Sequence, residues 1–192
     1  VKTESQKTGE TWELNQLIDR MRPTVNRSFT IDRLGDLFAS GKVPDLPLQG
    51  FLRGRLVAMT VWPPFDAGVR RIAGLWMPWL GKSFDPETSS GINVLHKNAA
   101  VPIKMLFPRH PPRRDLGDRI EAFPFKTRAE VGTVDPETKV LKIDYDFDPN
   151  PGFIIRDLLD ELVQIDDGVF LGKILFRWRG LYRPIGYFSL SS

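Results

Sequence analysis

The hydrophobic pattern changes character near residue 50. Before it, "TWELNQLIDRMR" places Trp12, Leu14, Leu17, Ile18 and Met21 at helical spacing, with Thr11 as a candidate N-cap and Pro23 as the stop. "SFTIDRLGDLFASGK" repeats the pattern through Ile31, Leu34, Leu37 and Phe38, with Gly41 at the C-terminal cap. From Gly50 onward, short alternating runs predict strands at 50–62, 79–84, 91–97, 101–107, 119–133, 139–147, 160–166, 169–178 and 184–190. "TVDPETKV" and "QIDDGV" have the Asp, Pro and Gly of hairpin connections. "FIIRDLLDELV" has helical spacing yet runs into a hairpin signal, which predicts a helical turn at 152–158 passing into a strand. "PPFDAGVRRIAGLW" suits a short helix.

Many short strands with little helix between them predict a mainly β chain: a single antiparallel barrel preceded by two N-terminal α-helices. Residues 1–8 read as a disordered tail, 9–45 as a helical segment and 46–192 as the barrel domain. The N-terminal helices are candidates to cap the barrel mouth or to form a homodimer interface.

Composition narrows the function classes. The 192 residues are 41% hydrophobic and 27% charged, the mix of a globular chain. No apolar run reaches the roughly 18 residues of a membrane span. The polar N-terminus lacks a secretory hydrophobic stretch, which predicts a cytoplasmic protein. With no cysteine and only His96 and His110, no metal site and no cofactor are expected. The net charge of +3 is too small to imply nucleic acid. "RHPPRR" (109–114) is a dense basic stretch, but Asp115, Asp118 and Glu121 follow it, and it reads as a solvated loop.

"WMPWLGKSFD" (76–85) ends in the G-K-S of a phosphate-binding loop, but Trp76 stands where the first glycine is needed and Pro78 removes a donor. A nucleotide site is therefore not expected. Among ionisable groups, Asp157, Asp160 and Glu161 cluster in an apolar run. On a helix, Asp157 shares a face with Asp160 and Glu161; on a strand, Asp157 and Glu161 share one face and Asp160 the other. Asp144 and Tyr145 likewise oppose one another, so at most one enters an interior. His96 follows Ile92 and Val94 on one strand face. An inward acid or base against an apolar wall could carry general acid–base chemistry, so His96, Asp144, Tyr145, Asp157 and Glu161 are the catalytic candidates. Surface solvation, and for His96 a hydrogen-bonded place at the barrel mouth, are the plainer readings.

Aromatic residues make up 11% of the chain. A barrel of about eight strands either fills its interior or holds one small ligand. Bulky rings with few charges favour an apolar ligand. Trp62, Trp76, Trp79, Phe123, Tyr145 and Phe176 are the candidate ligand-binding residues. Tryptophans that only plug a barrel end are the alternative.

"LPLQGFLRGRLV", "WLGKSFD", "DELVQIDDGVFLGKILFRW" and "PIGYFSL" resemble bacterial lipocalin-like proteins that carry a G-x-W-x-G element. Trp79 and Gly81 match its W-x-G half, whereas Met77 and Pro78 depart from its start. Over residues 46–190 the resemblance implies a calycin-type barrel with a cavity for a small hydrophobic molecule. It transfers no catalytic residue. Within it, Trp76, Pro78 and Trp79 are expected to close one barrel end, Gly81 to let backbone pass beneath a ring, and Lys82 to lie at a strand surface or the mouth. The leading expectation is binding of a hydrophobic or aromatic molecule. The alternative is a cofactor-independent lyase, isomerase or cyclase in the same cavity.

Overall fold

The computed structural model describes residues 27–45, 47–59, 78–148, 150–152 and 154–192. The first expected helix, the short helix around 69–76, Trp62 and Trp76 lie outside them. Helix α1 (Arg27–Ser40) precedes strands β1 (Gly50–Met59), β2 (Trp79–Asp85) and β3 (Ser90–His96). Helix α2 (Ala100–Leu106) and the two-residue β4 (Arg114–Asp115) follow. The chain then runs through β5 (Arg119–Val131), β6 (Lys139–Asp144), β7 (Leu158–Asp166), β8 (Val169–Trp178) and β9 (Leu181–Ser191). The sheet order is β3-β2-β1-β9-β8-β7-β6-β5-β4, and β3 also pairs with β5. That last pairing closes eight antiparallel strands into a barrel, with β4 as an extra strand beside β5.

Alternation sorts the side chains into two apolar groups. Leu52, Phe84, Leu95, Phe125, Leu162 and Phe188 belong to the interior cluster. Leu34, Leu37 and Phe38 of α1 pack with Val57, Val163, Leu171 and Tyr187, so α1 covers the outside of the wall near β7 and β8. The hairpin between β7 and β8 turns at Gly168, whose φ of 69° suits glycine. A 3-10 turn at Ile155–Asp157 leads into β7, as its mixed pattern predicts.

Among the described residues one N-terminal helix, α1, precedes the barrel. One expectation needs correction. The strand expected at 101–107 is helix α2. Val101, Ile103, Met105 and Phe107 alternate like a strand, but Ala99, Ile103 and Phe107 recur every four residues and are the ones buried. Pro102 is tolerated because the first turn does not need its missing N–H. Ala99, Ile103 and Phe107 join the interior cluster, so this excursion covers the barrel end where β3 stops.

Candidate functional site

Within the apolar interior cluster of the described residues lies a group of buried polar side chains. Lys82 of β2 and Asp160 of β7 meet there at 2.9 Å, both with side chains 0% exposed. The Lys82 ammonium donates to Asp160 Oδ2, to Asn93 Oδ1 at 2.9 Å and to the Tyr145 hydroxyl. Tyr145 in turn donates to Asp160 Oδ2 at 3.0 Å and accepts from Asn93 Nδ2 at 3.2 Å. Asn93 Oδ1 also accepts from Trp79 Nε1 at 3.1 Å. The rings of Trp79, Phe125, Tyr145 and Phe188 surround the ammonium at 5.2–5.4 Å, within cation–π range. One atom of the cluster is left over: Asp160 Oδ1 is buried and has no hydrogen-bond partner among the described residues.

Lys82 corrects the expectation of a surface or mouth position. The register of β2 against β3 shifts between Trp79 and Gly81. This bulge changes the parity of the strand, so Trp79, Lys82 and Phe84 are all buried in place of strict alternation. A second irregularity lies across the cluster. Phe123 has φ of 53°, unusual for a non-glycine residue, beside a register shift between β3 and β5. Its carbonyl accepts from Asn93 Nδ2 at 3.0 Å. Backbone strain of this kind costs about 1–3 kcal/mol and collects at sites where geometry is over-determined.

The electrostatics follow from burial. Desolvation pushes the Lys82 pKa below its ordinary value, against the charge and hydrogen bond of Asp160. Burial, followed by the negative charge of Asp160, pushes Tyr145 well above its ordinary 10.0. Tyr187, beneath α1, is pushed up to about 12, chiefly by burial. Burial also raises Tyr182. All three tyrosines of the chain are therefore shifted upward. The folded state keeps tyrosine protons that the unfolded chain has lost. That contribution to stability is complete below pH 10 and is lost as pH rises, through about 12 for Tyr187. Lys82 acts in the opposite sense, since its folded form sheds a proton first, but this effect ends by its ordinary 10.5. We expect stability to fall above pH 10.5 and phenolate absorbance to appear together with unfolding. Phenolate formation near pH 10 in a chain with native circular dichroism would contradict the burial of these rings.

The remaining candidates are dispersed. Tyr145 is in the interior and Asp144 on the outer face, where it pairs with Arg128 at 2.6 Å. His96 ends β3, and its Nδ1 accepts the backbone N–H of Asn98, capping a 3-10 turn. Asp157 lies in the turn before β7, with Arg177 at 3.2 Å. Glu161 is buried but on the side opposite Asp160, where Oε1 accepts from Thr133 N at 2.6 Å beneath the β5–β6 loop. Trp79 is in the cluster. Phe123 and Phe176 are partly buried against the interior group. Sequence reasoning missed Lys82, Asn93 and Asp160 as site residues. The available signal was that Lys82 stands two residues from Phe84, and Asp160 two from Leu158 and Leu162, at core-facing intervals.

A groove of about 200 Å³ opens near the β2–β3 turn, lined in part by Pro47, Leu48, Phe84, Ser89, Arg128 and Leu141. Phe84 at its floor meets Phe125 edge-on at 5.3 Å, and Phe125 meets Tyr145 at 5.8 Å. The groove is thus connected to the charged cluster through a chain of rings.

The chain is similar to a crystal structure of a protein from Thermomonospora curvata, with 17% sequence identity and a TM-score of 0.51. The match covers 95% of this chain and 97% of that one. What the two share is the fold. No family model matches the chain, and no curated protein matches it.

Proposed function

We propose that the barrel is a lipocalin-like binding protein for a small apolar or aromatic molecule that carries one hydrogen-bond donor, such as a hydroxyl or enol. The observation that carries this reading is Asp160 Oδ1, a buried acceptor without a hydrogen-bond partner among the described residues. A buried unsatisfied acceptor is costly, and a ligand donor would relieve it. The surrounding rings suit an aromatic body. The carboxylate disfavours anions. The groove floored by Phe84 is the proposed entrance, reached if Phe84 and Phe125 swing aside.

Native mass spectrometry of protein purified from its own host, with organic extraction, tests for a bound molecule directly. In a fluorescence titration, 2-naphthol is expected to bind at least about tenfold more tightly than 2-naphthoate, because two carboxylates facing one another in a buried site cost more than about 1.4 kcal/mol. An empty native spectrum together with no response to either compound would sink the reading.

Enzymatic use of the barrel interior is the second reading, favoured by the Tyr145 hydroxyl, which accepts from Lys82 and donates to Asp160. There Tyr145 and Asp160 would move protons for a cofactor-independent lyase, isomerase or cyclase. Recovery of the extracted molecule in altered form after incubation with fresh protein would favour it. Recovery unchanged would favour a carrier.

A further inference from the structure

The excursion between β3 and β5 has an outer face that neither the barrel nor the interior cluster uses. In α2, Ile103 is fully buried against the core, while Val101 and Met105, one turn apart on the other side, are 67% and 77% exposed. Leu106 and Leu116 are exposed as well. Backbone bonds tie these pieces to one barrel end: Lys97 N to Asp118 O at 2.9 Å, Leu116 N to Arg119 O at 2.9 Å and Arg113 N to Glu121 O at 2.7 Å.

The charge around these apolar side chains is one-sided. Residues 97–121 contain six Lys and Arg against three Asp and Glu, an excess of three that equals the net charge of the whole chain. The acidic residues are engaged locally: Asp118 lies 3.7 Å from Arg119 and Glu121 3.8 Å from Arg114, and Asp115 accepts from Gly117 N. Lys97, Lys104, Arg109 and Arg113 are exposed, and none has an ion-pair partner among the described residues. Exposed apolar side chains and exposed cations on one short segment at one barrel end match the layered chemistry of an anionic bilayer surface, with acyl chains beneath and phosphates above.

We infer that this barrel end docks on membranes containing anionic lipid, with Val101, Met105, Leu106 and Leu116 entering the headgroup boundary and Lys97, Lys104, Arg109 and Arg113 meeting phosphate. The contact is peripheral. No described helix is long and apolar enough to cross a bilayer. The inference is independent of the interior ligand, since it uses none of the residues around Lys82.

The test is co-sedimentation of the full chain with vesicles of phosphatidylcholine alone and of phosphatidylcholine mixed with phosphatidylserine. Binding is expected on the mixed vesicles only and is expected to weaken with salt. The triple variant K104Q/R109Q/R113Q should reduce partitioning by roughly 100-fold, at about fivefold per cation. V101Q/M105Q should reduce it by about fivefold or more while leaving the melting temperature unchanged, because both side chains are exposed. Absence of binding to the mixed vesicles, or binding that ignores both variants, would overturn the inference. So would a lipid-free dimer abolished by V101Q/M105Q, which would assign the face to a second copy of the chain. Binding to polyglutamate that is insensitive to V101Q/M105Q, without vesicle binding, would mark a purely ionic surface and overturn it equally.

Discussion

Lys82→Met is expected to destabilise the fold by about 3–5 kcal/mol, the range for breaking a buried ion pair by removing one partner. The loss arises from what is left behind. Asp160 would remain fully buried with the Tyr145 hydroxyl as its surviving partner, and Asn93 Oδ1 would keep only the Trp79 indole. Domains of this kind have a total stability of about 5–15 kcal/mol, so the variant should lie near the folding threshold. The double variant K82M/D160L removes both charges and should recover most of the loss. Urea denaturation of the two variants measures this. A Lys82→Met cost below about 1 kcal/mol would place the pair in water, not in the core. The exposed Arg33–Asp36 pair, at 3.6 Å, is the control, and its removal should be close to neutral.

Gly81→Ala should be comparably damaging through sterics alone. An added Cβ would lie 2.0 Å from the Leu52 carbonyl oxygen and 2.8 Å from Gly54 N, and both are backbone atoms that cannot rotate away. The φ of 148° adds strain for any L side chain. Gly81 pairs with Arg53 across β1 and β2 and sits at the bulge that turns Lys82 inward, so relief of the clash requires moving strands. Overpacking and backbone strain together suggest a loss of about 3 kcal/mol. Gly152→Ala is the comparison, since its Cβ would meet nothing within 4 Å. It should change the urea midpoint little. Equal midpoints for the two variants would mean that β1 and β2 do not approach one another as described.

Much of this architecture is written in the chain as short apolar runs between turn signals. Strands such as Val169–Trp178 and the hairpin at "QIDDGV" are legible because a short β-branched, aliphatic and aromatic run is bounded by turn residues and Asp-Asp-Gly supplies the turn. The segment 100–106 is not, because its apolar residues satisfy both periods, and only the contact of Ala99, Ile103 and Phe107 with the core decides between them. The site was less legible than the fold. Asp144 and Tyr145 fall on opposite faces, as adjacent strand residues must, and so do Asp160 and Glu161. Lys82 shares the inward face of Phe84, two residues on, but the bulge between Trp79 and Gly81 breaks its alternation with Trp79, and bulges leave little trace in one sequence. The resulting cluster joins residues 79 and 82 of β2 to 93, 145 and 160, which lie on three other short stretches. Its members are contiguous only after the sheet has closed.

Closure itself sets the timing of synthesis. β1 pairs with β9, and Arg53 lies opposite Ser191. On the ribosome, β1 emerges well over a hundred residues before its partner. At about 5–20 residues per second, its open edge waits several seconds or longer for the last strand. During that interval the nascent chain presents unpaired strands of the kind that chaperones bind. Late β9 mutations should therefore affect yield in the cell more than their effect on the finished barrel would suggest.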